Sequence, residues 1–338
     1  MVNSKRQQPL IIDEKNKSIK NMFSNLFHHP SVNKKRENSE VINLLIGWDE
    51  RHKNIIENIS SASTEFPLLE TCLLPLDSTP SSILIEQIEK CDVFMFLYLS
   101  STLKPFTSSG PQFLSPIRKV MQENWRKSII FKDYGEHFYE AFSEQIEIIS
   151  NRNQSIINLA MVSKQIIFEQ EHDSILTATI NEKQSWTSID GKNSYDITPG
   201  EIATKLHNLE GCITFSGTFL STIPFAIKYG VVKDFFKIKV KNSQIIDFTC
   251  RDPIFSQDFD KYLSANPSNS VIEEFGIGTN YGVKRLYGLN AGFEERHPGL
   301  HLGLGGGAMG SHHLDLIFEG GKLFFDKKNF FHNKLFNI

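Results

Sequence analysis

The sequence predicts a chain of α/β plus α+β class: an N-terminal α/β domain built on a parallel sheet, followed by a β-rich domain carrying a metal site. Two features of pattern predict the fold. Up to about residue 165, short apolar runs alternate with amphipathic helical stretches, the order of a parallel sheet with helical crossovers. From about Ser174 the texture changes to strand-like alternation broken by turn signals. The domains so expected are residues 41–165 and 166–338. Residues 1–40, rich in Lys, Asn, Ser and Gln, are expected to form a mobile arm or a loosely docked helix.

VINLLIGWD (Val41–Asp49) reads as a buried strand, and ERHKNIIENISSA after it as a helix. FPLLETCLLPL is a second strand. SSILIEQIEKC is helical by the apolar spacing of Ile83, Ile85 and Ile88, and DVFMFLYLS (Asp92–Ser100) is a third buried strand. The first turn has no glycine-rich phosphate loop, so nucleotide binding gains no support. SEQIEIISNRNQSIINLAMVSKQII is a long helical pattern that links the halves or caps the first. In the second half, VKNSQIID signals a hairpin with Asn242-Ser243 at its tip, and FEGGKLFFD turns on Gly320-Gly321.

Composition narrows the function classes. A net charge of -3 without a basic stripe argues against a nucleic-acid partner. Four cysteines, scattered with no CxxC pair, argue against a disulfide framework or thiolate zinc site and suit a reducing, cytoplasmic setting. The charged start lacks the apolar core of a secretory signal, and no apolar run approaches the roughly 18 residues of a membrane helix.

Three strands then share one design. Side chains alternate faces along a strand, so in GSHHLDLIF His313 and Asp315 share a face while Leu314, Leu316 and Phe318 share the other. In GLHLGLG, His301, Gly303 and Gly305 oppose Leu300, Leu302 and Leu304. In EFGIGTN, Glu274, Gly276 and Gly278 oppose Phe275 and Ile277. Glycine weakens a strand, and clearing space beside an imidazole or carboxylate is a reason to use it. A further acid, Glu201, follows Pro199-Gly200 in TPGEIAT. A lone His-x-Asp is commonly only a hydrogen-bonded pair, and strand glycines often mark bulges. Repetition of the design points to a divalent metal held by Glu201, Glu274, His301, His313 and Asp315, as one ion or as two about 3.5–4 Å apart. His297 and His312, beside the candidates, read as supporting or exposed residues.

PGEIAT, FKIKVKNSQIIDFTC, EFGIGTN, GLHLGLG and HHLDLIFEGGKLFFD, in that order, resemble the C-terminal half of the aminopeptidase T family of dinuclear metallo-aminopeptidases. They also resemble its structural relatives, the mononuclear-iron 2,5-dihydroxypyridine dioxygenases. The resemblance covers roughly Pro199 to Asp326. It implies Glu201 as first carboxylate ligand, Glu274 as a bridging one, His301 as the imidazole of the glycine-rich strand, and His313 with Asp315 as the closing pair. In the dioxygenase reading His301, His313 and Asp315 form a two-His-one-carboxylate face. The sequence departs from the family in the short LGLGGGAMGSH connection and in lacking a tyrosine beyond the first histidine.

Three functions follow. The first is a metal-dependent hydrolase acting on a peptide or amide, with Zn, Mn or Co. The second is an Fe(II) oxygenase acting on an aromatic or peptide-derived ring. The third is a non-catalytic peptide-binding accessory with a degenerate site. No residue is assigned a catalytic role beyond metal binding. The family habit implies a homodimer. Substrate choice is expected to lie in the first half and in loops such as Leu103–Pro116.

Overall fold

A parallel sheet and a large curled antiparallel sheet make up the computed structural model, which describes residues 7–100, 111–170, 174–221 and 225–338. Most of the loop expected at Leu103–Pro116, including Lys104, falls outside the described residues. The chain forms two units. The first comprises Met1–Ile149, Ile189–Pro199 and Ala291–Phe293. The second comprises Ser150–Ser188, Gly200–Asn290 and Glu294–Ile338.

In the first unit, β1 (Ile42–Trp48), β2 (Leu69–Pro75), β3 (Val93–Tyr98) and β4 (Ser128–Lys132) pair in parallel in the order β2-β1-β3-β4. β3 is buried along its whole length, as its unbroken apolar run requires of a central strand. The helix Lys53–Ser63 buries Ile55, Ile56, Ile59 and Ala62, one stripe of a 3.6-residue period. In the helix Ser81–Lys90 the inward residues are Leu84 and Ile88, four apart. Ile83, expected on that face, is 42% exposed. The segment before residue 40 contains the helix Gln7–Leu26, whose Ile19, Met22, Phe23 and Leu26 are fully buried.

The helix Ile146–Met161 ends six residues earlier than its sequence pattern suggests. Gln165–Gln170 is instead a strand, β5. Ile166 and Phe168 turn into the core as alternating residues, a fit that β-branched side chains favour over a further helical turn.

The antiparallel sheet adds β6 (Ser174–Thr179), β7 (Thr187–Ile189), β8 (Glu201–Thr204), β9 (Glu210–Ser221), β10 (Val232–Lys241), β11 (Gln244–Cys250), β12 (Ile272–Gly278), β13 (Gly299–Leu304), β14 (Leu314–Phe318), β15 (Lys322–Phe325), β16 (Lys328–His332) and β17 (Leu335–Phe336). Its order is β17-β16-β15-β5-β6-β9-β14-β13-β12-β8-β7, with the β10–β11 hairpin attached through β9. That hairpin turns on Asn242 and Ser243, both at positive φ, as a two-residue turn matched to strand twist demands. Gly320-Gly321 is a turn of another kind. The strands on either side do not pair, because β15 joins β5 and β16 while β14 joins β9 and β13. The sheet curls, which brings the rings of Phe168 on β5 and Phe318 on β14 to 5.1 Å.

Inside the curl lies a phenylalanine-rich core with Phe215, Phe219, Phe236, Phe255 and Phe259. The helix Pro253–Ala265 contributes Phe255, Phe259 and Tyr262 from one stripe. Its start is fixed by Asp252, whose side chain accepts from the N–H of Ile254 and Phe255, and by proline at the first turn. Leu300, Leu302 and Leu304, then Leu314, Leu316 and Phe318, with Phe275 and Ile277, all enter this core. The three strands thus bury the face that alternation assigned to them. Among the described residues no helix is long and apolar enough to cross a membrane.

Candidate metal centre

The opposite face of β12, β13 and β14 carries the polar residues, and ladder register sets their spacing. Glu274 pairs with Gly303 on β13, and Gly303 pairs with Asp315 on β14. His301 pairs with Gly276, and Glu201 on β8 with Gly278. Each charged side chain therefore has a glycine across the ladder. The need is steric. A Cβ on Gly276 would lie 1.9 Å from His301 Nε2, and one on Gly303 would lie 2.7 Å from His313 Cε1, 2.9 Å from Glu274 Cβ and 3.0 Å from Asp315 Oδ1. The space beside these residues exists because glycine leaves it.

Two groups of ligand-type atoms result. In each, the atoms lie within 4.8 Å of one another. Glu201, Glu274 and His301 form the first, with His301 Nε2 3.2 Å from Glu201 Oε1 and 3.1 Å from Glu274 Oε1. Glu295, His313 and Asp315 form the second, with His313 Nε2 2.8 Å from Asp315 Oδ1. All five residues singled out in the sequence fall into these groups. Among the described residues His301, His313 and Asp315 do not form one group of this kind.

Two side chains of the candidate site escaped the reading of the sequence. Glu295 belongs to the second group, and Arg296 is ion-paired with Oε2 of Glu201 and lies 3.5 Å from Glu295 Oε2. Both sit in the 3-10 turn Gly292–Arg296, where no strand or helix period marks a face. The one available signal was the charged run Glu294-Glu295-Arg296-His297 inside an otherwise apolar stretch. Glu294 serves the backbone instead, its buried carboxylate accepting from the N–H of Tyr287, Gly288 and Leu289. His297 is buried and His312 is exposed, and neither joins a group.

The surrounding chain fixes the site. Asn153 Nδ2 donates to the backbone oxygen of Glu201 at 2.9 Å, and its own Oδ1 accepts from Thr279 Oγ1 at 2.6 Å. Tyr262 OH lies 2.8 Å from the carbonyl of His312 and 3.1 Å from that of Leu304, sharing its one proton between both ends of the glycine-rich connection between β13 and β14. Asn269 Oδ1 accepts from Ser311 Oγ and His312 N within that connection. Ser221 Oγ holds the His313 carbonyl at 2.6 Å.

Electrostatics follow from burial and pairing. Pairing with Asp315 raises His313 to about 9 against the downward pull of burial. Burial pushes the Glu274 carboxyl up, but His301 and His313 outweigh it and hold the group below its ordinary value. Burial, with a smaller contribution from the charge of Lys334, takes His297 down to about 3. Oδ1 of Asp315 faces His313, whereas its Oδ2 and Nδ1 of His301 are buried without a hydrogen-bond partner among the described residues. Buried carboxylate oxygens of that kind are costly unless a cation or donor meets them. The donor set, carboxylate and imidazole without thiolate, suits Zn, Mn, Co or Fe.

No family model matches the sequence, and no curated protein does. Solved structures do match in shape. Wild-type AmpT from Thermus thermophilus, an aminopeptidase T, superposes with a TM-score of 0.59 at 10% identity, over 96% of this chain and 99% of that one. The 2,5-dihydroxypyridine dioxygenase of Pseudomonas putida KT2440 gives 0.58 at 10% identity, over 95% and 96%. The chain shares their fold. The likeness runs through both units, whereas the sequence resemblance was confined to the second half.

Proposed function

We propose that the protein is a metal-dependent hydrolase of the aminopeptidase type, acting on a peptide or amide. The observation that carries the reading is the pair of three-residue groups beside Gly303, five of their residues coming from one sheet and its strand ends and Glu295 from the turn before β13. Six side chains of hard or borderline donor type are more than one ion needs and match a two-ion site. Held by these residues, divalent cations would supply Lewis-acid polarisation of a carbonyl and a lowered pKa for water.

The chain's own residues prepare that chemistry. Arg296 occupies one oxygen of Glu201 and leaves the other facing His301. Glu274 lies 3.1 Å from His301 Nε2 and, with His313, lines the space at Gly303, so its carboxylate is the one that would serve both groups. The leucines behind β13 and β14 hold the polar face still. The separation of His301 from the His313–Asp315 pair weighs against a single iron on those three residues.

Elemental analysis of protein purified without added metal, followed by hydrolysis of an aminoacyl p-nitroanilide, tests the proposal. Two zinc, manganese or cobalt ions per chain, with amide cleavage abolished by chelation, are expected. One iron per chain, or no metal after incubation with each cation, overturns it.

A further inference from the structure

A cavity of about 560 Å³ opens in the second unit where β10 meets the start of the helix Pro253–Ala265. That volume is in the range small ligands occupy, roughly 300–1,000 Å³. One wall is a bulge in β10. Val232 pairs with Gly217 and Phe236 with Phe215, so Lys233, Asp234 and Phe235 stand opposite Ser216 alone. Asp234 sits at a φ of 45°. Ser216 Oγ accepts from its N–H at 2.8 Å and donates to its Oδ1 at 3.1 Å. The bulge is thus locked, and bulges re-aim side chains beside functional sites. It stands apart from the metal-type residues. Gly217 lies four residues, roughly 13 Å, along β9 from Ser221, the partner of Leu314 next to His313.

The other wall is the turn from β11 into the helix. Asp252 Oδ1 accepts from Ile254 N and Phe255 N, so this acid serves the helix start. Cys250 Sγ donates to the Phe235 carbonyl at 3.2 Å, which ties the two walls together. Phe235 is half-buried, its ring centre 4.8 Å from that of Phe255, while Ile254 is 58% exposed. The cavity therefore has an apolar side. Its cations are Lys233 and Arg251, both exposed, and neither has an ion-pair or hydrogen-bond partner among the described residues. Asp234 and Asp252 line the same cavity, yet each turns an oxygen to the chain and neither pairs with these cations.

We propose that this cavity is a second ligand site, taking a small monocarboxylate with an apolar body. The carboxylate meets Lys233 and Arg251, and the body covers Phe235 and Ile254. Charge decides the class. A cationic ligand meets two cations without partners, and a neutral apolar molecule leaves both of them unused. A dianion such as a phosphate monoester also faces Asp234 and Asp252, whose repulsion offsets what its second charge gains. A single negative charge suits two open cations beside two engaged acids. The guanidinium of Arg251 offers the planar fork that a carboxylate accepts in bidentate fashion, and Lys233 adds a point charge. Apolar area on Phe235 and Ile254 then supplies what exposed ion pairs alone do not.

The test is a titration of methyl-labelled isoleucine protein, read at the Ile254 methyl resonance and assigned by its loss in Ile254→Leu. The probes are 3-phenylpropionate, 3-phenylpropan-1-ol and phenyl phosphate, which share an aromatic body and differ in charge. 3-Phenylpropionate is expected to move the resonance saturably, and the alcohol and the phosphate to bind more weakly. Ile175 and Ile246, 40% and 49% exposed elsewhere, should stay in place. Lys233→Met and Arg251→Met keep the apolar stems and remove the charges. Each should weaken the 3-phenylpropionate midpoint ~3-fold, and both together on the order of 10-fold, the scale of solvent-screened charge pairs. An alcohol or a phosphate that binds as tightly as the acid overturns the proposal. So does an unchanged midpoint in the double variant, or a drift that Ile175 and Ile246 share. The comparison of probes in the parent protein decides even if the double variant does not fold. A carboxylate bound at a metal would leave Ile254 unmoved, so the result stands apart from the hydrolase reading.

Discussion

Arg296 is ion-paired with Oε2 of Glu201 in the interior of the second unit, and each side chain is only 3% exposed. The pair is a buried charge balance: one guanidinium offsets part of the carboxylate charge that the site concentrates. Removing one member of such a pair typically costs about 3–5 kcal/mol, because the other is left buried and unpaired. Arg296→Gln is therefore expected to lower stability by that order in metal-free protein. Added zinc should then stabilise the variant more than the parent, because Glu201 turns both oxygens to the cation. Thermal unfolding with and without metal measures this. Equal metal-induced shifts in the two proteins would mean that Glu201 does not face the metal.

Gly303 separates the two ligand groups, with His313, Glu274 and Asp315 all within 3.0 Å of where a Cβ would sit. Gly303→Ala is expected to displace these side chains, because they are freer to move than the paired backbone. Metal content should fall sharply, with a loss of fold stability of only ~1–3 kcal/mol, the usual scale of overpacking. Gly276→Ala, crowding His301 Nε2, should act alike on the first group. Full metal loading in both variants would show that the glycines serve the backbone and not the site.

Much of this site was legible because a strand's period is 2, and the period reports faces without any tertiary knowledge. His301, Glu274 and Asp315 stand opposite leucines and phenylalanines that do fill the core. Glu295 and Arg296 were not legible, since a 3-10 turn of five residues has no period to reveal what it presents. In the fold, Ile166 and Ile167 satisfy helical and strand patterns equally, so the end of the helix Ile146–Met161 was overrun. β4 passed unmarked because five residues, SIIFK, follow a polar stretch and carry little pattern. The turn at Gly320-Gly321 was found, but a local turn signal cannot say that a curled sheet gives its two strands different partners.

His313 and Leu314 are neighbours on opposite faces and should fail differently. Leu314 is fully buried in the core, so Leu314→Ala is expected to cost about 2–5 kcal/mol with metal content per folded chain unchanged. His313 is 39% exposed at its side chain and packs little, but it is the cationic partner of Asp315. His313→Ala should lower metal content and destabilise the protein by exposing the unpaired charge of Asp315. Adding Asp315→Asn should recover most of that stability without recovering metal. A double-mutant cycle in denaturant checks this. Purely additive losses would reduce the His313–Asp315 pair to two independent residues.

The first unit carries its own pH dependence, away from the metal-type residues. Burial takes His29 down to about 4 from an ordinary 6.5. Its Nδ1 accepts from Ser31 N at 3.2 Å, and Nε2 is buried without a partner among the described residues, so the fold holds the neutral ring. Below pH 6.5 the unfolded chain binds a proton at this residue that the folded chain refuses until about pH 4. The unfolded state thus binds more protons in that window, and stability rises with pH across it. The contribution is fully present above 6.5 and is lost as pH falls toward 4, on the order of 3 kcal/mol at ~1.4 kcal/mol per pH unit. His29→Asn retains an acceptor near Nδ1 and cannot titrate. Its unfolding free energy should fall less steeply between pH 6.5 and 4 than that of the parent, with His28 and His297, both also lowered by burial, contributing to the slope that remains. Parallel pH profiles for variant and parent would mean that His29 protonates as readily folded as unfolded, and that its burial is relieved by motions of the segment around it.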